Sequence, residues 1–341
     1  MIGVLERSYI IGQWISKKLG LRRRRKLPVR VISIGNLSAG GTGKTPAAVA
    51  LALELASKVD YRPAVLTRGY KGKLAGPVII KSDMSAIDAG DEPLLMLKQF
   101  QASGANIPVM KNKDRYWGGL YALATLEPRP NILILDDGYQ HWGLARDLDI
   151  LLLSATEPFY ADKCLPIGRL RETPKAIGRA GLILVTRCRE VPDCMLEEIR
   201  KWNQTARVFP AWYEAGGVVN AQTGEEFPAE WLQGRDVFAF CGIGEPSSFK
   251  KTLAEAGANV AGFARFSDHH KFTARDLKRL SRKIKRKSGK TQNGLWIVTT
   301  EKDIMRLGRG GASAIENLCV LKVALKTGEG FYKEIEDAIL R

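Results

Sequence analysis

The sequence predicts an α/β fold organised around a phosphate-loop NTPase-type core, and three observations indicate it. An apolar run from Pro28 to Asn36 leads into the glycine-rich segment SAGGTGKT, Ser38 to Thr45. The alanine- and leucine-rich segment from Pro46 to Ser57 follows, which gives the order strand, loop and helix. Farther along, short apolar runs alternate with helical stretches, which is typical of a mostly parallel sheet with helices on both faces.

The glycine-rich segment has the features of a nucleoside triphosphate site. Its glycines allow backbone N–H groups to close round a phosphate chain, and the helix that follows directs its positive dipole end at the same anion. Lys44 is expected to reach the β- and γ-phosphates, and Thr45 to offer its hydroxyl to Mg²⁺. The usual pattern begins with glycine where this chain has Ser38, but three glycines remain for the tight turn. The predicted nucleotide-binding residues are Ser38, Ala39, Gly40, Gly41, Thr42, Gly43, Lys44 and Thr45.

The composition narrows the class of protein. A chain of 341 residues is longer than one ordinary core supports, so two domains are expected. Its 53 Lys and Arg against 36 Asp and Glu give a formal net charge of +17, which predicts an anionic partner: nucleic acid, an acidic membrane surface or a phosphorylated substrate. Five cysteines without CxxC spacing argue against a disulfide framework and a zinc site, and they favour a reducing cytosol.

Residues 1–26 form a separate segment in which apolar residues are interrupted by charges and followed by the basic cluster Arg22 to Lys26. No apolar run reaches the ~20 residues that a membrane span needs. The layout of a signal peptide is also missing, because the basic cluster follows the apolar part. We predict an amphipathic helix and leave two placements open: against the protein's own core, or in the bilayer interface with its basic end on anionic head groups.

The remaining chain divides into two predicted domains. Strands are expected at residues 62–67, 77–81, 107–110, 131–137, 148–154 and 180–187, and helices at 92–101 and 116–126. The repeat of strand and helix stops near Val208. Glycines and an alternation of apolar and polar residues after this point indicate a hairpin. We therefore expect a nucleotide-binding core at 27–207, and a hairpin linker with a smaller α/β domain at 208–341. A basic helix from Ala274 to Lys287 is interpreted first as a solvated face.

Two carboxylates end the predicted strand at 131–137. Acids at the carboxyl end of a parallel strand face the ligand crevice, where a phosphate-loop protein holds Mg²⁺. Asp137 is the preferred metal partner, directly or through water, with Asp136 in support. A mere acidic turn is the alternative, and the position of the pair after a phosphate loop disfavours it.

Other charged residues precede helices or follow strands. Asp91 and Glu92 lie just ahead of a predicted helix, where an ordinary N-cap explains one acid easily. Arg68, Lys113 and Arg115 follow apolar strands on the side where an anionic substrate would lie. For any one of them, a basic loop residue on a basic protein is an equally good explanation.

The chain has only three histidines, and all lie in short polar clusters. His141 is explained most simply as a residue that caps a loop. His269 and His270 follow Asp268, and a histidine beside this acid is oriented as a general base or its partner would be.

Eight short motifs, taken in order, resemble those of the tetraacyldisaccharide 4'-kinases, the lipid A 4'-kinases of Gram-negative bacteria. They extend from about Val31 to Asp303 and are SIGNLSAGGTGKTP, TRGY, GDEP, DRYWGG, LDDGYQH, PIGRLRE, FSDHH and TTEKD. The resemblance implies transfer of the ATP γ-phosphate to the 4'-hydroxyl of tetraacyldisaccharide 1-phosphate, giving lipid IVA, with Mg²⁺ as the metal. It places the enzyme on the cytoplasmic face of the inner membrane, as a peripheral or monotopic protein, and residues 1–26 then favour an interfacial helix on an anionic surface.

The resemblance also implies roles for single residues. Asp91 of GDEP and His269 of FSDHH are implied to deprotonate the acceptor hydroxyl as a dyad, which forms when two domains close over ATP. Asp137 matches the acid that chelates Mg²⁺. With Lys44 and Asp268 completing the predicted catalytic set, the residues expected to bind substrate are Arg68, Glu92, Arg115, His141 and Arg171. Glu172, next to Arg171 in PIGRLRE, is expected at the rim of the site.

Two rival classes share some of these features. A GTP-dependent switch or a nucleic-acid-binding ATPase would also use a phosphate loop and a basic chain. A guanine reader needs an Asn/Thr-Lys-x-Asp element, whereas Lys302 directly precedes Asp303 in TTEKD, and the basic helix lacks the aromatic residues that favour RNA binding. The second rival class is a membrane-attached scaffold that binds nucleotide without turnover. We expect neither a nucleic-acid partner nor a protein partner.

Overall fold

The computed structural model describes residues 4–22, 24–69, 72–288 and 294–340. Its contacts divide the chain into two compact units, Met1–Trp212 with Thr327–Arg341, and Tyr213–Lys326. The first division falls five residues after the predicted boundary at 207/208. The last helix differs from the prediction, because it belongs to the first unit rather than the second. Its Phe331 ring lies 5.5 Å from the ring of Phe209, and Glu334 forms an ion pair with Arg207 at 2.5 Å.

The first unit contains a mainly parallel sheet with the strand order β7-β6-β1-β5-β2-β4-β3. Its strands are β1 (Arg30–Asn36), β2 (Pro63–Thr67), β3 (Val78–Ile79), β4 (Val109–Lys111), β5 (Ile132–Asp136), β6 (Leu148–Ser154) and β7 (Leu182–Thr186), and the start of β8 (Arg207–Asn220) pairs with β7. Its helices are α1 (Val4–Arg22), α2 (Lys44–Ala56), α3 (Ala86–Ala89), α4 (Asp91–Ala102), α5 (Arg115–Thr125), α6 (Asp193–Arg200) and α10 (Phe331–Leu340). Among the described strands of this unit, β3 alone runs antiparallel to its neighbour.

The order and register of the strands bring the phosphate loop and the paired acids to one edge of the sheet. Strands β2, β5 and β7 are buried at every position, as expected for a parallel sheet covered on both faces. In the pairing of β1 with β5, Ile34 lies opposite Asp136. The loop after β1 and the turn after β5 therefore begin side by side at the carboxyl ends of the strands, where ligands bind in such sheets.

The second unit has its own parallel sheet, with the order β11-β10-β12-β13. Its elements are the hairpin of β8 with β9 (Glu226–Phe227), then β10 (Asp236–Cys241), α7 (Pro246–Glu255), β11 (Asn259–Arg265), α8 (Ala274–Ser288), β12 (Trp296–Thr300), α9 (Glu301–Ser313) and β13 (Leu318–Thr327). The antiparallel pairing of Val218 with Phe227 supplies the predicted hairpin. The predicted α/β character of both units, with mostly parallel strands, is confirmed.

Helix α1 packs on the first unit by one side and exposes the other. Glu6 is buried and its Oε1 accepts the Cys164 N–H at 2.9 Å, while the Tyr9 hydroxyl donates to the Arg171 carbonyl at 3.3 Å. The exposed large apolar side chains are Leu5, Ile11, Trp14, Ile15, Leu19 and Leu21. In the described parts of the chain we find no helix with the length and apolar character to cross a bilayer. Arg23 of the basic cluster lies outside the described residues.

Candidate active site

The phosphate loop has the tight backbone that its glycines predict. Gly40 and Gly43 have φ angles of 122° and 91°, which a side chain would oppose, and α2 begins directly after Gly43. Asn36, the last residue of β1, donates its Nδ2–H to Thr42 Oγ1 at 2.7 Å in the buried base of the loop. The first N–H groups of α2 have no partners within the helix, so they are available to an anion.

Residues of the PIGRLRE motif form backbone hydrogen bonds with the start of the phosphate loop. The Ala39 N–H donates to the Arg169 carbonyl at 2.6 Å, and the Arg171 N–H donates to the Leu37 carbonyl at 2.5 Å. Arg187 also contacts the loop, since its Nη2 donates to the Gly41 carbonyl at 2.6 Å. Arg187 was not among the predicted site residues. Its position directly after the apolar strand β7 is the signal that could have identified it, as it did Arg68.

Lys44, Asp137 and Arg171 meet beside the loop. Arg171 Nη1 lies 3.0 Å from both carboxylate oxygens of Asp137, and Lys44 Nζ lies 3.7 Å from Asp137 Oδ1. Burial by itself would raise the pKa of Asp137, but the charges of Lys44 and Arg171 outweigh it and hold that pKa below its usual value. Burial lowers the pKa of Lys44, and the charge of Asp137 opposes this shift. The result is an ionised carboxylate between a lysine and an arginine side chain.

A second group of predicted residues surrounds this trio. Arg115 is buried, donates to the Lys113 carbonyl at 3.1 Å, and has its pKa lowered to about 10 by burial, against the opposing charges of Asp136 and Asp137. Burial also lowers the pKa of His141 to about 4, with Arg115 and Arg68 acting in the same direction, so this ring is neutral at pH 7.

The contacts of His141 fit the interpretation of a loop residue. Its backbone N–H donates to the Gly138 carbonyl at 2.9 Å, and its own carbonyl accepts from Arg146. Its ring Nε2 is buried without a hydrogen-bond partner in the described part of the chain. The predicted role of His141 in binding substrate therefore stays a prediction.

Asp91 and Glu92 lie in the first turn of α4. The N-cap is Gly90, with a φ angle of 97°, so neither acid occupies the capping position that the ordinary explanation requires. Asp91 Oδ1 accepts the Glu92 N–H at 3.2 Å. The negative charge of Glu92 acts on Lys44, which brings Glu92 into the same electrostatic group.

Glu172 stabilises the position of residues around the site through hydrogen bonds and an ion pair. Its carboxylate accepts from both guanidinium nitrogens Nη1 and Nη2 of Arg179, at 3.0 and 2.7 Å, and from Gln140 Nε2 at 2.8 Å. The same Gln140 nitrogen lies 2.9 Å from the Asn36 carbonyl, and Arg179 lies 3.7 Å from the ring centre of Tyr139. Glu172 therefore fixes the LDDGYQH segment against the end of β1.

His269 lies in the second unit, in a turn that follows β11. Its φ angle is 57°, and its N–H lies 3.2 Å from the Gly242 carbonyl and 2.9 Å from Asp268 Oδ1. Asp268 Oδ2 is 4.0 Å from His269 Nε2, which is too long for a hydrogen bond. Arg306 Nη2 lies 3.1 Å from the ring Nδ1. His270, which had no predicted role, faces Asp276 at 3.1 Å.

The TTEKD motif fixes Arg306 in this position. The Thr300 hydroxyl caps α9 by accepting the Asp303 N–H at 3.1 Å, and it donates to Asp303 Oδ2 at 2.6 Å. Buried Asp303 accepts the Gly242 N–H at 3.0 Å, and Arg306 donates to the Gly242 carbonyl at 2.8 Å. Arg306, which sequence reasoning missed, lies one helical turn after Asp303, and this spacing was the available signal.

The structure thus groups part of the predicted site. In the first unit, electrostatic contacts join Lys44 to the acids and bases named above, namely Asp136, Asp137, Glu92, Arg68, Arg115, His141 and Arg171. His269 and Asp268 belong to the second unit. The predicted dyad of Asp91 and His269 therefore stays a prediction. Tyr70 of the TRGY motif lies outside the described residues.

A family model described as LpxK, tetraacyldisaccharide-1-P 4'-kinase, matches residues 5–340. The chain belongs to this family. The tetraacyldisaccharide 4'-kinase of Syntrophus aciditrophicus (strain SB) is 37% identical over 302 residues, which cover 84% of this chain and 78% of the relative. That of Anaeromyxobacter sp. (strain Fw109-5) is 36% identical over 330 residues, with coverages of 94% and 85%.

A solved structure of a family member agrees along nearly the whole chain. The crystal structure of LpxK from Aquifex aeolicus in complex with ATP superimposes with a TM-score of 0.70 at 33% identity, covering 98% of this chain and 100% of that one. Together with the family match, this confirms the predicted phosphate-loop NTPase-like fold and the predicted activity, a tetraacyldisaccharide-1-P 4'-kinase of lipid A biosynthesis. The family match favours the kinase over the three alternatives considered above, namely a GTP switch, a nucleic-acid-binding ATPase and a scaffold without turnover.

Proposed function

We propose that the phosphate loop of this chain binds ATP with Mg²⁺, and that the γ-phosphoryl group passes to the 4'-hydroxyl of a membrane-borne tetraacyldisaccharide 1-phosphate. The convergence of Lys44, Asp137 and Arg171 beside the loop carries the proposal, because it combines cations for the phosphates with a carboxylate for the metal. The test is incubation with ATP, Mg²⁺ and detergent-dispersed disaccharide 1-phosphate, followed by mass analysis. One added phosphate is expected, and an unchanged mass would contradict the proposal.

The residues beside the loop fit a magnesium ion. Mg²⁺ prefers hard oxygen ligands and is commonly held by one or two carboxylates together with substrate phosphates. Asp137 supplies an ionised carboxylate, since its pKa is held below the usual value, and Asp136 precedes it on β5. Thr45 offers a hydroxyl in the first turn of α2. When bound, the ion neutralises charge on the β- and γ-phosphate oxygens.

Activation of the acceptor is assigned to Asp91 and His269, acting together when the two units close over their substrates. The Asp91 carboxylate accepts the proton of the 4'-hydroxyl while the new O–P bond forms and the bond from the γ-phosphorus to the bridging oxygen of ADP breaks. Lys44 stabilises the negative charge on the transferring group. Asp268 then serves the backbone of the His269 turn rather than the ring, in accord with its 2.9 Å contact to the His269 N–H.

The contact between Arg306 and His269 determines what the histidine can contribute. A guanidinium group only donates hydrogen bonds, so ring Nδ1, 3.1 Å from Arg306 Nη2, is the acceptor. The neutral ring therefore carries its hydrogen on Nε2 and donates there. A donor of this kind orients a carboxylate, so the geometry favours Asp91 as the base and His269 as the group that positions it.

Replacing Arg306 with glutamine is expected to reduce kcat about tenfold or more with little change in the KM for ATP, because the ring would no longer be held in one tautomer. The ¹⁵N shifts of the three histidines provide a second readout. In the unmodified chain they should report hydrogen on Nε2 of His269, and in the variant a mixture of tautomers. Arg265→Gln, at an exposed position of the same unit, is the control. An unchanged tautomer together with unchanged kcat would refute the positioning role.

The exposed side of α1 supports attachment to the membrane that holds the lipid substrate. Six large apolar side chains of this helix are exposed, with the exposed cations Arg7 and Lys18 among them. Exposed apolar groups that cluster on one element mark contact with a membrane or a partner. Basic residues Arg22, Arg24, Arg25 and Lys26, at the end of the helix and after it, are exposed. An apolar helix face with a basic end lies in the bilayer interface, so we assign the enzyme to the cytoplasmic face of the inner membrane as a peripheral or monotopic protein.

Changing Ile11, Trp14 and Ile15 together to glutamine is expected to weaken binding to anionic vesicles by about tenfold or more, since each side chain loses its burial in the interface. All three are exposed, so the packing of α1 on the protein should persist. The matched control replaces Val59, Leu74 and Ile87, which are exposed elsewhere in the first unit, with glutamine. Equal vesicle binding by both triple variants in a flotation assay would refute the interfacial role of α1.

A further inference from the structure

Helix α8 of the second unit has more basic residues than any other helix that the structure describes. Eight of its 15 residues are basic, and all eight are exposed: Arg275, Lys278, Arg279, Arg282, Lys283, Lys285, Arg286 and Lys287. The helix has a single acid, Asp276, which accepts from Thr273 and faces His270. The segment therefore contributes seven of the 17 net positive charges of the chain, eight bases less one acid.

The opposite side of α8 is fixed to the core of its unit. Leu280 is buried, and Leu277 and Ile284 pack against the same cluster, which includes Phe238, Phe240 and other apolar side chains of β10 and β12. The three apolar positions lie three and four residues apart, so they form one narrow stripe along the helix. The basic side chains lie on the rest of the helix surface, which is more than half of its circumference.

The cations of α8 repel one another along the exposed side of the helix. None of the eight has an ion-pair partner among the described residues. Five pairs of like charge stand four residues apart: Arg275 with Arg279, Lys278 with Arg282, Arg279 with Lys283, Arg282 with Arg286, and Lys283 with Lys287. Like charges at this spacing destabilise a helix. Attraction to the negative end of the helix dipole favours only the three cations of the last turn, Lys285 to Lys287.

We propose that the basic face of α8 binds the anionic head groups of a lipid bilayer, as a second membrane contact separate from α1. The proposal rests on the proposed function only in that a lipid substrate brings the enzyme to a membrane. Charge complementarity supports it, because a row of unpaired Lys and Arg side chains is what an anionic surface attracts. A nucleic-acid partner would be expected to use aromatic side chains among the cations for base stacking, and α8 has none.

The test neutralises three cations that lie opposite the apolar stripe. Arg279, Arg282 and Arg286 are changed to glutamine, and the control variant changes Lys250, Lys251 and Arg265, which are exposed in the same unit, to glutamine. Binding of the full chain is measured by co-sedimentation with vesicles of phosphatidylcholine alone and of equimolar phosphatidylcholine and phosphatidylglycerol. Single-stranded oligonucleotide binding is measured beside it. Detergent-dispersed substrate reports phosphoryl transfer independently of the bilayer.

The α8 variant is expected to lose at least tenfold in affinity for the anionic vesicles, since each charge near such a surface contributes about fivefold. Binding to neutral vesicles, turnover in detergent and the unfolding temperature should be unchanged, or the last slightly raised. Equal losses in both triple variants would overturn the proposal, as would a loss confined to oligonucleotide binding. Failure of phosphoryl transfer in the unmodified chain would count against the proposed function and not against this surface.

Discussion

Replacing Asp91 with asparagine should lower kcat about 10²- to 10⁴-fold, the contribution typical of a general base. The amide has nearly the same shape and keeps an oxygen that can accept the Glu92 N–H, but it cannot take the proton of the acceptor hydroxyl. ATP binding should change little, because the base acts on the acceptor and not on the nucleotide. Steady-state rates with detergent-dispersed disaccharide 1-phosphate, together with ATP titrations, measure both quantities.

Asp83→Asn provides the matched control for this substitution. Asp83 is an exposed acid in the turn before α3, and it has no predicted role. A kcat within twofold of the unmodified chain is expected for the control. If Asp91→Asn also kept at least half of the original kcat, another group would have to accept the proton, and the dyad would be disproved.

Replacing Lys44 with methionine should lower kcat by about 10³-fold or more. Methionine keeps most of the length of the side chain but removes the positive charge from the transferring phosphoryl group, where a single preorganised donor contributes about 10²- to 10³-fold and the lysine also orients the phosphates. The pKa of Asp137 should rise in this variant, because the charge of Lys44 is the first of the interactions that lower it. Acid titration of the ATP-free chain by NMR measures this shift.

Lys81→Met, at an exposed position of the first unit, controls for loss of a positive charge in general. It should leave the turnover and the Asp137 titration unchanged. Lys44→Met with normal turnover would mean that the phosphate loop does not hold the reacting triphosphate. A normal Asp137 titration would instead contradict the 3.7 Å ion pair between the two side chains.

The sequence predicts well those features that depend on neighbouring residues. Runs of mainly apolar residues identified β1, β5, β6 and β7, because strands buried on both faces are dominated by apolar side chains. The register of a parallel sheet then brings the phosphate loop and Asp137 together, so this part of the site followed from the order of the elements.

Contacts between distant parts of the chain could not be predicted in the same way. Arg187 contacts a carbonyl 146 residues away, and Arg306 contacts His269 across 37 residues. A local pattern can therefore mark either arginine as a candidate, but it cannot identify the residue that the arginine contacts. Strand β13 and helix α9 were also not predicted, and α10 was placed in the wrong unit. The packing of α10 depends on Phe209 and Arg207, which are more than a hundred residues earlier in the chain.

The hydroxyl of Tyr9 has a consequence for how this enzyme is handled. It donates a hydrogen bond to the carbonyl of Arg171. The N–H of Arg171 in turn donates to the Leu37 carbonyl just before the phosphate loop, and its guanidinium group donates to Asp137. A shortened protein, trimmed at its start to make it easier to purify from detergent, would lose this brace as well as its lipid-facing surface. The affinity for ATP measured on such a protein would then be that of a phosphate loop without its contact to the first helix. The buried side of this helix is therefore part of the nucleotide site.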